Sequence, residues 1–379
     1  MAFVRGSLLG LSASWFFCVL VISVLAVQPH RAHGLSRGFF GPKKTAVAPP
    51  AAGICASSVT VHGYKCQELE VTTQDGYILS LQRIPEGRVS DGEVKRRPVL
   101  IQHGLILDGM TWLLNSPEQN LPMVLADNGF DVWIANTRGT RFSRRHTSLD
   151  SNQPAFWNWS WDELASFDLP AVFDFVYGQT GQKIDYVGHS LGTLVALASF
   201  SEGKLVKQLK SAALLSPIAY LSHISTALGV VAARFFVFEI VQVLGLTEFN
   251  PKEEPVGNLL QSLCAHPGVD CYDLLSALTG KNCCLNSSTI DLFLMNEPQS
   301  TSVKNMVHLA QMVRNGIVAK YNYGRTDYNL KQYGEATHLF ITSLTFPMTF
   351  PSFLAMAAKT HSPMCKMSCF YSTILNLKM

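Results

Sequence analysis

Residues 186–193, Tyr-Val-Gly-His-Ser-Leu-Gly-Thr, contain a Gly-x-Ser-x-Gly pentapeptide centred on Ser190. An apolar, β-rich run precedes it, and a run of small residues typical of a helix follows it. A serine hydroxyl is a weak nucleophile until a neighbouring base takes its proton, so the chain must turn sharply to present the oxygen to that base. Glycines beside the serine let other segments pass close to such a turn. The spacing predicts a nucleophilic Ser190 in a strand-to-helix elbow with Gly188, His189 and Gly192.

Acyl transfer also needs donors for the oxyanion that develops on the substrate. In elbows of this kind, the backbone N–H groups come from the residue after the nucleophile and from a loop after an earlier strand. The sequence predicts Leu191 and Leu105 for these roles, and leucine is acceptable because the donors belong to the backbone. His189 is assigned to the shape of the elbow and not to a general base, because adjacent residues on so tight a turn point apart.

The elements around the motif alternate between short apolar runs and helical periodicity. The sequence predicts a β-hairpin, further strands and intervening helices, with strands at 68–73, 77–83, 98–102, 131–136, 184–187 and 212–215 and helices at 123–129, 161–177 and 194–200. This pattern indicates an α/β fold, with a mostly parallel sheet covered by helices on both faces. Ligand chemistry in such folds lies at the carboxyl ends of the strands, where Ser190 and His103 are expected.

The pattern changes after the core, which is predicted to span residues 53–217. Residues 218–335 are helical, cysteine-bearing and long-looped, and we interpret them as an inserted cap or lid. An apolar run at 227–246 suits a cap that faces acyl chains, but periodicity equally allows a buried core helix. Residues 336–379 form a tail that replaces the expected end of the core.

The amino-terminal 34 residues have the charge and apolar pattern of a signal peptide, followed by a flexible lead-in at 35–52. An uncleaved signal anchor is the alternative, because the apolar stretch at 8–27 approaches the length that spans a bilayer. Sequons at Asn158 and Asn286 predict glycosylation and agree with a secreted or lumenal route.

The chain has nine cysteines, of which six lie outside the leader and the tail. Such an even set indicates disulfides in an oxidising compartment, with the pairing left open. A zinc site is the alternative for the four at 264, 271, 283 and 284, but their spacing lacks a Cys-x2-Cys knuckle. The net charge of +3 and the absence of a basic run interleaved with aromatic residues argue against a nucleic-acid partner.

The ordered set of motifs resembles the acid lipases of the α/β-hydrolase fold, which include gastric and lysosomal lipases and their plant relatives. The segments that carry the resemblance are Val-Thr-Thr-Gln-Asp-Gly-Tyr at 71–77, Gln-His-Gly-Leu at 102–105, Leu-Ala-Asp-Asn-Gly-Phe-Asp-Val-Trp at 125–133, Asn-Thr-Arg-Gly at 136–139, Trp-Asp-Glu at 161–163 and Asp-Leu-Pro-Ala at 168–171. Gly-Ile-Cys at 53–55 and His-Gly-Tyr at 62–64 are most similar to the plant branch.

The resemblance implies a neutral lipid ester substrate, either triacylglycerol or steryl ester, a lipid interface as partner, and neither cofactor nor metal. We expect Arg138, Asp162 and Asp168 to hold the scaffold through ion pairs and helix ends, and Trp133 to lie in the core.

The end of the chain departs from the family, which places its acid in a Gly-Gly-x-Asp turn and its base in a later His-x-Asp-Phe segment. Residues 337–379 contain no Asp, Glu or Gly. Suppose that this part of the sequence is read out of frame, so that each codon of the correct frame consists of the third base of one present codon and the first two bases of the next. Methionine has a single codon, so three residues of the correct frame are then fixed. Met348-Thr349 gives Asp, Met356-Ala357 gives Gly and Met364-Cys365 gives Val. The remaining codons then permit Gly-Gly-Lys-Asp across residues 356–360. Our hypothesis is that residue 337 begins a frameshifted end.

Chain order would allow a local substitute, with Asp327 as acid and His338 or His361 as base, but Asp327 lies in the closing stretch of the cap and His361 lies in sequence with no recognisable partner. Without its base the serine loses most of its activation, so the chain is predicted to be inactive or nearly so. The rival hypothesis is a non-catalytic protein that binds lipid or misfolds.

Overall fold

The computed structural model describes residues 53–89, 92, 95–203, 205–221, 233–234, 236–252, 292–293 and 295–336, together with the backbone of the strand Phe353–Met356. The predicted signal peptide, the lead-in, Asn286 and most of the tail lie outside these residues. Within the described part of the chain, no helix is long and apolar enough to cross a membrane.

An eight-stranded sheet forms the centre of the described chain. Its strands are β1 (Gln67–Thr72), β2 (Tyr77–Ile84), β3 (Arg97–Gln102), β4 (Phe130–Ala135), β5 (Arg145–His146), β6 (Ile184–His189), β7 (Leu209–Leu215) and β10 (Phe353–Met356). The order is β1-β2-β4-β3-β6-β7-β10, and β5 pairs with β2. Strands β4, β3, β6, β7 and β10 pair parallel to one another, whereas β1 and β5 pair antiparallel with β2 and β2 pairs antiparallel with β4. The predicted mostly parallel sheet is confirmed.

The α-helices bounded within the described residues are α1 (Leu121–Asp127), α2 (Trp161–Glu163), α3 (Leu169–Thr180), α4 (Leu191–Ser201), α5 (Val237–Val243), α6 (Val303–Asn315) and α7 (Thr326–Tyr333). The predicted helix at 161–177 is a composite, because a π-helical turn at Leu164–Asp168 joins α2 to α3. It starts at a capping box between Ser160 and Glu163, which satisfies two free N–H groups. It ends at Gly181, whose φ of 61° suits glycine.

The core fills both faces of the sheet. Along β3, Leu100 joins one apolar cluster while Val99 and Ile101 join the other, because successive strand residues point to opposite faces. Trp133 is fully buried in the first cluster, as expected. Helices α3 and α4 pack on that face, and α1 packs on the other.

Arg138 is the centre of a buried ion network that ties three segments together. Its Nε donates to Asp168 Oδ1 at 2.7 Å, and its Nη1 donates to Asp75 Oδ2 at 2.6 Å. The guanidinium also lies 3.8 Å from the ring centroid of Tyr77. The network joins the β1–β2 hairpin, the loop after β4 and the start of α3, so the scaffold role expected for Arg138 and Asp168 agrees with these contacts.

The described part of the segment after β7 includes a two-stranded sheet, β8 (Glu248–Phe249) with β9 (Thr301–Ser302). Helix α5 packs its partly buried Phe238 and Val241 against α6. No residue of α5 is buried, and its other side exposes Ile240, Val243 and Leu244. The buried-core alternative for the apolar run is therefore wrong for the described residues 236–246.

A disulfide joins Cys55 to Cys66. It links the turn at Cys55–Val59 to the chain just before β1. The other four cysteines outside the leader and tail, which are the four considered for zinc, lie outside the described residues.

Candidate active site

Ser190 lies in a strained turn between β6 and α4. Its φ of 50° and ψ of −113° belong to a region that residues with a side chain seldom occupy. The turn is held by its neighbours, because Ser190 N–H donates to Leu215 O at 3.0 Å and Thr193 N–H donates to Ser190 O at 2.9 Å. Ser190 keeps part of its surface exposed. Strain that surrounding bonds maintain at a partly exposed serine is typical of a nucleophile.

The two elbow glycines lie where a side chain has no room. A Cβ on Gly188 would lie 2.8 Å from Tyr186 Cε1 and 3.0 Å from the carbonyl carbon of Gly192. A Cβ on Gly192 would lie 2.9 Å from Gln102 O, at the carboxyl end of β3. Any larger residue would push β6 and α4 apart or push α4 off β3, so both positions need glycine.

The loop after β3 lies directly against Ser190. A Cβ on Gly104 would approach Ser190 Cβ and His189 Nδ1, each to 3.1 Å. Leu105 follows Gly104, and Leu191 is the first residue of α4, whose N-terminus carries partial positive charge. Within the described residues, neither Leu105 N–H nor Leu191 N–H has an acceptor. Two backbone donors with no partner there thus come from segments that meet at Ser190.

The histidines beside the serine are unsuited to act as bases. His103 Nε2 accepts from Thr137 N–H at 3.1 Å, so its Nδ1 carries the proton and donates to Gly104 O at 2.8 Å. Burial lowers the pKa of His103, and its hydrogen bonds instead fix the Gly104 loop. Burial and the neighbouring His103 lower the pKa of His189 to about 4.

The strand β10 ends level with the elbow. Met356 pairs with Leu215, whose carbonyl accepts from Ser190 N–H. Residues 357–379, which follow β10, lie outside the described part of the chain. The expected acid and base of the family would belong to this region, so the structure brings Ser190 together with the segments predicted to supply the oxyanion donors and does not describe the predicted partners of Ser190.

Asp327, the residue that could substitute for the acid in chain order, forms an ion pair on the surface. Asp327 lies exposed in the first turn of α7 and pairs with Arg325 at 2.7 Å. The hydrogen bond from Arg325 lowers the pKa of Asp327. This pairing on the surface argues against Asp327 as a triad acid. His338 and His361 lie outside the described residues.

The sequon at Asn158 is accessible. Asn158 is exposed, and its Oδ1 accepts from Lys304 Nζ at 3.3 Å, which leaves the amide nitrogen for a glycan. Ser160 of the sequon is buried in the capping box. Since a glycan is attached to the nitrogen, the geometry is compatible with modification at Asn158.

Comparisons with known proteins agree with this geometry. Residues 55–116 match the family model of the partial α/β-hydrolase lipase region, and residues 97–242 match that of the α/β-hydrolase fold. The chain is 57% identical to triacylglycerol lipase 2 of Arabidopsis thaliana over 342 residues, which cover 89% of this chain and 81% of that protein. It is 35% identical to gastric triacylglycerol lipase of Rattus norvegicus, covering 87% of this chain and 84% of the relative.

A solved structure supports the fold alone. The crystal structure of a proposed lipase from Sulfolobus solfataricus aligns with a TM-score of 0.50 at 17% identity, covering 82% of this chain and 93% of that chain. Together with the elbow and the sheet order, these matches show that the chain belongs to the lipase family of the α/β-hydrolase fold, a family of carboxylic ester hydrolases.

Proposed function

We propose that the activity of this lineage is hydrolysis of carboxylic esters of neutral lipids, either triacylglycerol or steryl ester, with Ser190 as the nucleophile. The contact between the Gly104 loop and Ser190 carries the proposal, because the loop that continues into Leu105 meets the start of α4, where Leu191 follows the proposed nucleophile. Ser190 Oγ attacks the ester carbonyl, and the oxyanion accepts hydrogen bonds from both N–H groups. The alcohol leaves with a proton, and water then hydrolyses the acyl-enzyme.

Among the described residues beside Ser190, no histidine is suited to take its proton, since His103 is buried, His189 is partly buried, and burial lowers the pKa of both. We therefore propose that this chain is inactive or nearly so. The chain enters a secretory or lumenal route by its predicted signal peptide. The Cys55–Cys66 disulfide supports an oxidising compartment.

Slow chemical labelling tests the site in the chain as it exists. Because the oxyanion donors do not depend on the base, we expect a fluorophosphonate in excess to label Ser190 slowly, but before any other serine. Ser190→Ala should remove the label, and Ser201→Ala, at the far end of α4, should keep it. Peptide mass spectrometry over a time course gives the site and rate. Labelling spread over surface serines would contradict the proposal.

The exposed side of α5 favours lipid binding as a second candidate function. Ile240, Val243 and Leu244 are adjacent on the helix at the i, i+3, i+4 spacing and are exposed by 42%, 87% and 52%. An exposed apolar patch marks a surface for a partner. Since this patch belongs to the predicted cap, we propose that it contacts the lipid interface, with or without turnover.

Charge on this patch should weaken lipid binding. Val243→Glu removes burial of one valine and adds a charge, so we expect about tenfold or greater loss of affinity for a triolein–phosphatidylcholine emulsion. Val89→Glu, at an 80% exposed valine in the loop after β2, is the matched control and should bind as the unmodified chain does. Flotation with the emulsion measures the bound fraction. Equal losses in both variants would contradict a specific surface.

A further inference from the structure

The loop that carries Leu105 is braced from outside by residues 296–299. Gln299 N–H donates to Ile106 O at 2.7 Å, and Asp108 N–H donates to Glu297 Oε1 at 3.2 Å. Ile106 has a φ of 52°, a left-handed conformation that isoleucine adopts only under restraint. One bond is to the carbonyl of the strained residue and the other is to the N–H group two residues later, so the segment from the predicted cap holds the loop that faces Ser190.

Two buried carboxyl groups lie where residues 296–299 contact the loop, and the nearby Arg141 forms an ion pair with only one of them. Glu297 and Asp108 are both fully buried. Arg141 Nε donates to Asp108 Oδ2 at 2.7 Å, whereas its Nη2 donates to Asn296 Oδ1 at 3.3 Å. Lys252 Nζ donates to the Asn296 carbonyl at 2.9 Å. Within the described residues, Glu297 thus has no direct ion pair, and its Oε2 has no donor.

A carboxyl group in this position is best accommodated as the neutral acid. Burial, and then the charge of Asp108, raise the pKa of Glu297 to about 9, although Arg141 opposes the shift. As the neutral acid, Glu297 accepts a hydrogen bond from the Asp108 N–H on Oε1 and has a proton that it can donate to the neighbouring Asp108 carboxylate. Burial also lowers the pKa of Lys252, whose Nζ donates to the Asn296 carbonyl and not to the Glu297 carboxyl group.

We propose that Glu297 is a positioning residue that, as a neutral acid bonded to Asp108, holds the Leu105 loop in its oxyanion-binding conformation and releases it as the pH rises. Only the role of Leu105 rests on the proposed function. The bracing itself is a property of the fold and does not require turnover.

The direction of the pH effect follows from proton linkage. Glu297 in an opened loop is exposed and has an ordinary pKa of about 4.3, whereas burial raises its pKa in the closed loop to about 9. The closed loop therefore binds the proton more tightly. The stabilisation of the closed loop by this proton is complete below the lower of the two pKa values and is lost as the pH rises through the higher one. Between these limits the opening constant should rise about tenfold per pH unit.

Hydrogen exchange of the full chain tests this inference without an activity assay. Exchange of the amides in residues 103–110 is measured between pH 5 and 9 and corrected for the intrinsic rate. We expect the opening constant of the unmodified chain to rise about tenfold per pH unit. Glu297→Gln retains both hydrogen bonds without a titrating proton, so its opening constant should not change with pH. Glu297→Ala should expose the loop at every pH, and Glu248→Gln, which weakens a separate pair with Arg144, should behave as the unmodified chain does.

Two outcomes would overturn the inference. One is an opening constant in the unmodified chain that does not change with pH, and the other is the same pH slope in Glu297→Gln. Failure of Ser190 to label with fluorophosphonate would count against the proposed function and leave the exchange result intact. Rescue by Gln but not by Ala separates the hydrogen-bonding role from simple filling of space.

Discussion

A chain read in the shifted frame from residue 337 onward is expected to hydrolyse a neutral lipid ester about 10⁴- to 10⁶-fold faster than the printed chain. The gain reflects the restored base and acid, since breaking a serine–histidine unit removes activity on this scale. The measurement is ester turnover of both chains on the same emulsion, with Ser190→Ala in the shifted-frame chain as the control.

The sheet supports this expectation. β10 ends at Met356, level with Leu215 and the elbow, and the shifted frame would begin Gly-Gly-Lys-Asp at that same residue. An acid turn would then follow the strand on the edge of the sheet where Ser190 lies. Sequencing the transcript across these codons comes first. If no single-base or splice change restores the family pattern, or if the shifted chain is as inactive as Ser190→Ala, the frameshift hypothesis fails.

Loss of Arg138 should destabilise the fold by about 3–5 kcal/mol, because Arg138→Met leaves the buried carboxylate of Asp168 without its cation. Burial already raises the pKa of Asp168, against the opposing charge of Arg138. Without Arg138 this pKa rises further, so the folded state binds the proton more tightly than the unfolded state does. The variant should therefore recover stability as the pH falls. Urea unfolding at neutral and acidic pH measures both effects.

The matched variant for this experiment is Arg88→Met. Arg88 is exposed and pairs with Asp127 at 3.2 Å, so its loss should cost much less stability than the loss of Arg138. Equal losses in the two variants would mean that Arg138 contributes no more than a surface ion pair. If the stability of Arg88→Met also recovered at low pH, Asp168 would be excluded as the origin of the pH effect.

The sequence predicts those parts of this fold that depend on local pattern. The elbow could be predicted because Gly188, Ser190 and Gly192 lie within five residues and their neighbours set both the turn and its close contacts. Strands such as Arg97–Gln102 and Ile184–His189 were predicted within a few residues of their ends, because buried parallel strands are continuously apolar. Three-to-four-residue periodicity likewise predicted the helix that contains α3.

The remaining features depend on residues far apart in the chain. Asp108 and Glu297 are 189 residues apart, and a single acid beside a proline in a loop gives no sign of a buried partner. The close fit of Gly104 to Ser190 arises only when β3 and β6 become neighbours. The π-helical turn before α3 retains helical periodicity, so the pattern cannot distinguish it. The pattern could not decide whether α5 has an exposed side either, since an apolar run is compatible with both a cap helix and a buried core helix.

The backbone of Ser190 also bears on the history of the gene. Its left-handed conformation costs about 1–3 kcal/mol, and a glycine there would relieve that cost since it has no Cβ. Selection retains such a residue while the serine contributes to fitness, and drift removes it once the reaction is lost. Under the frameshift hypothesis, retention of this strained serine, together with the close-packed glycines around it, indicates that the altered tail is younger than the selection that shaped the elbow.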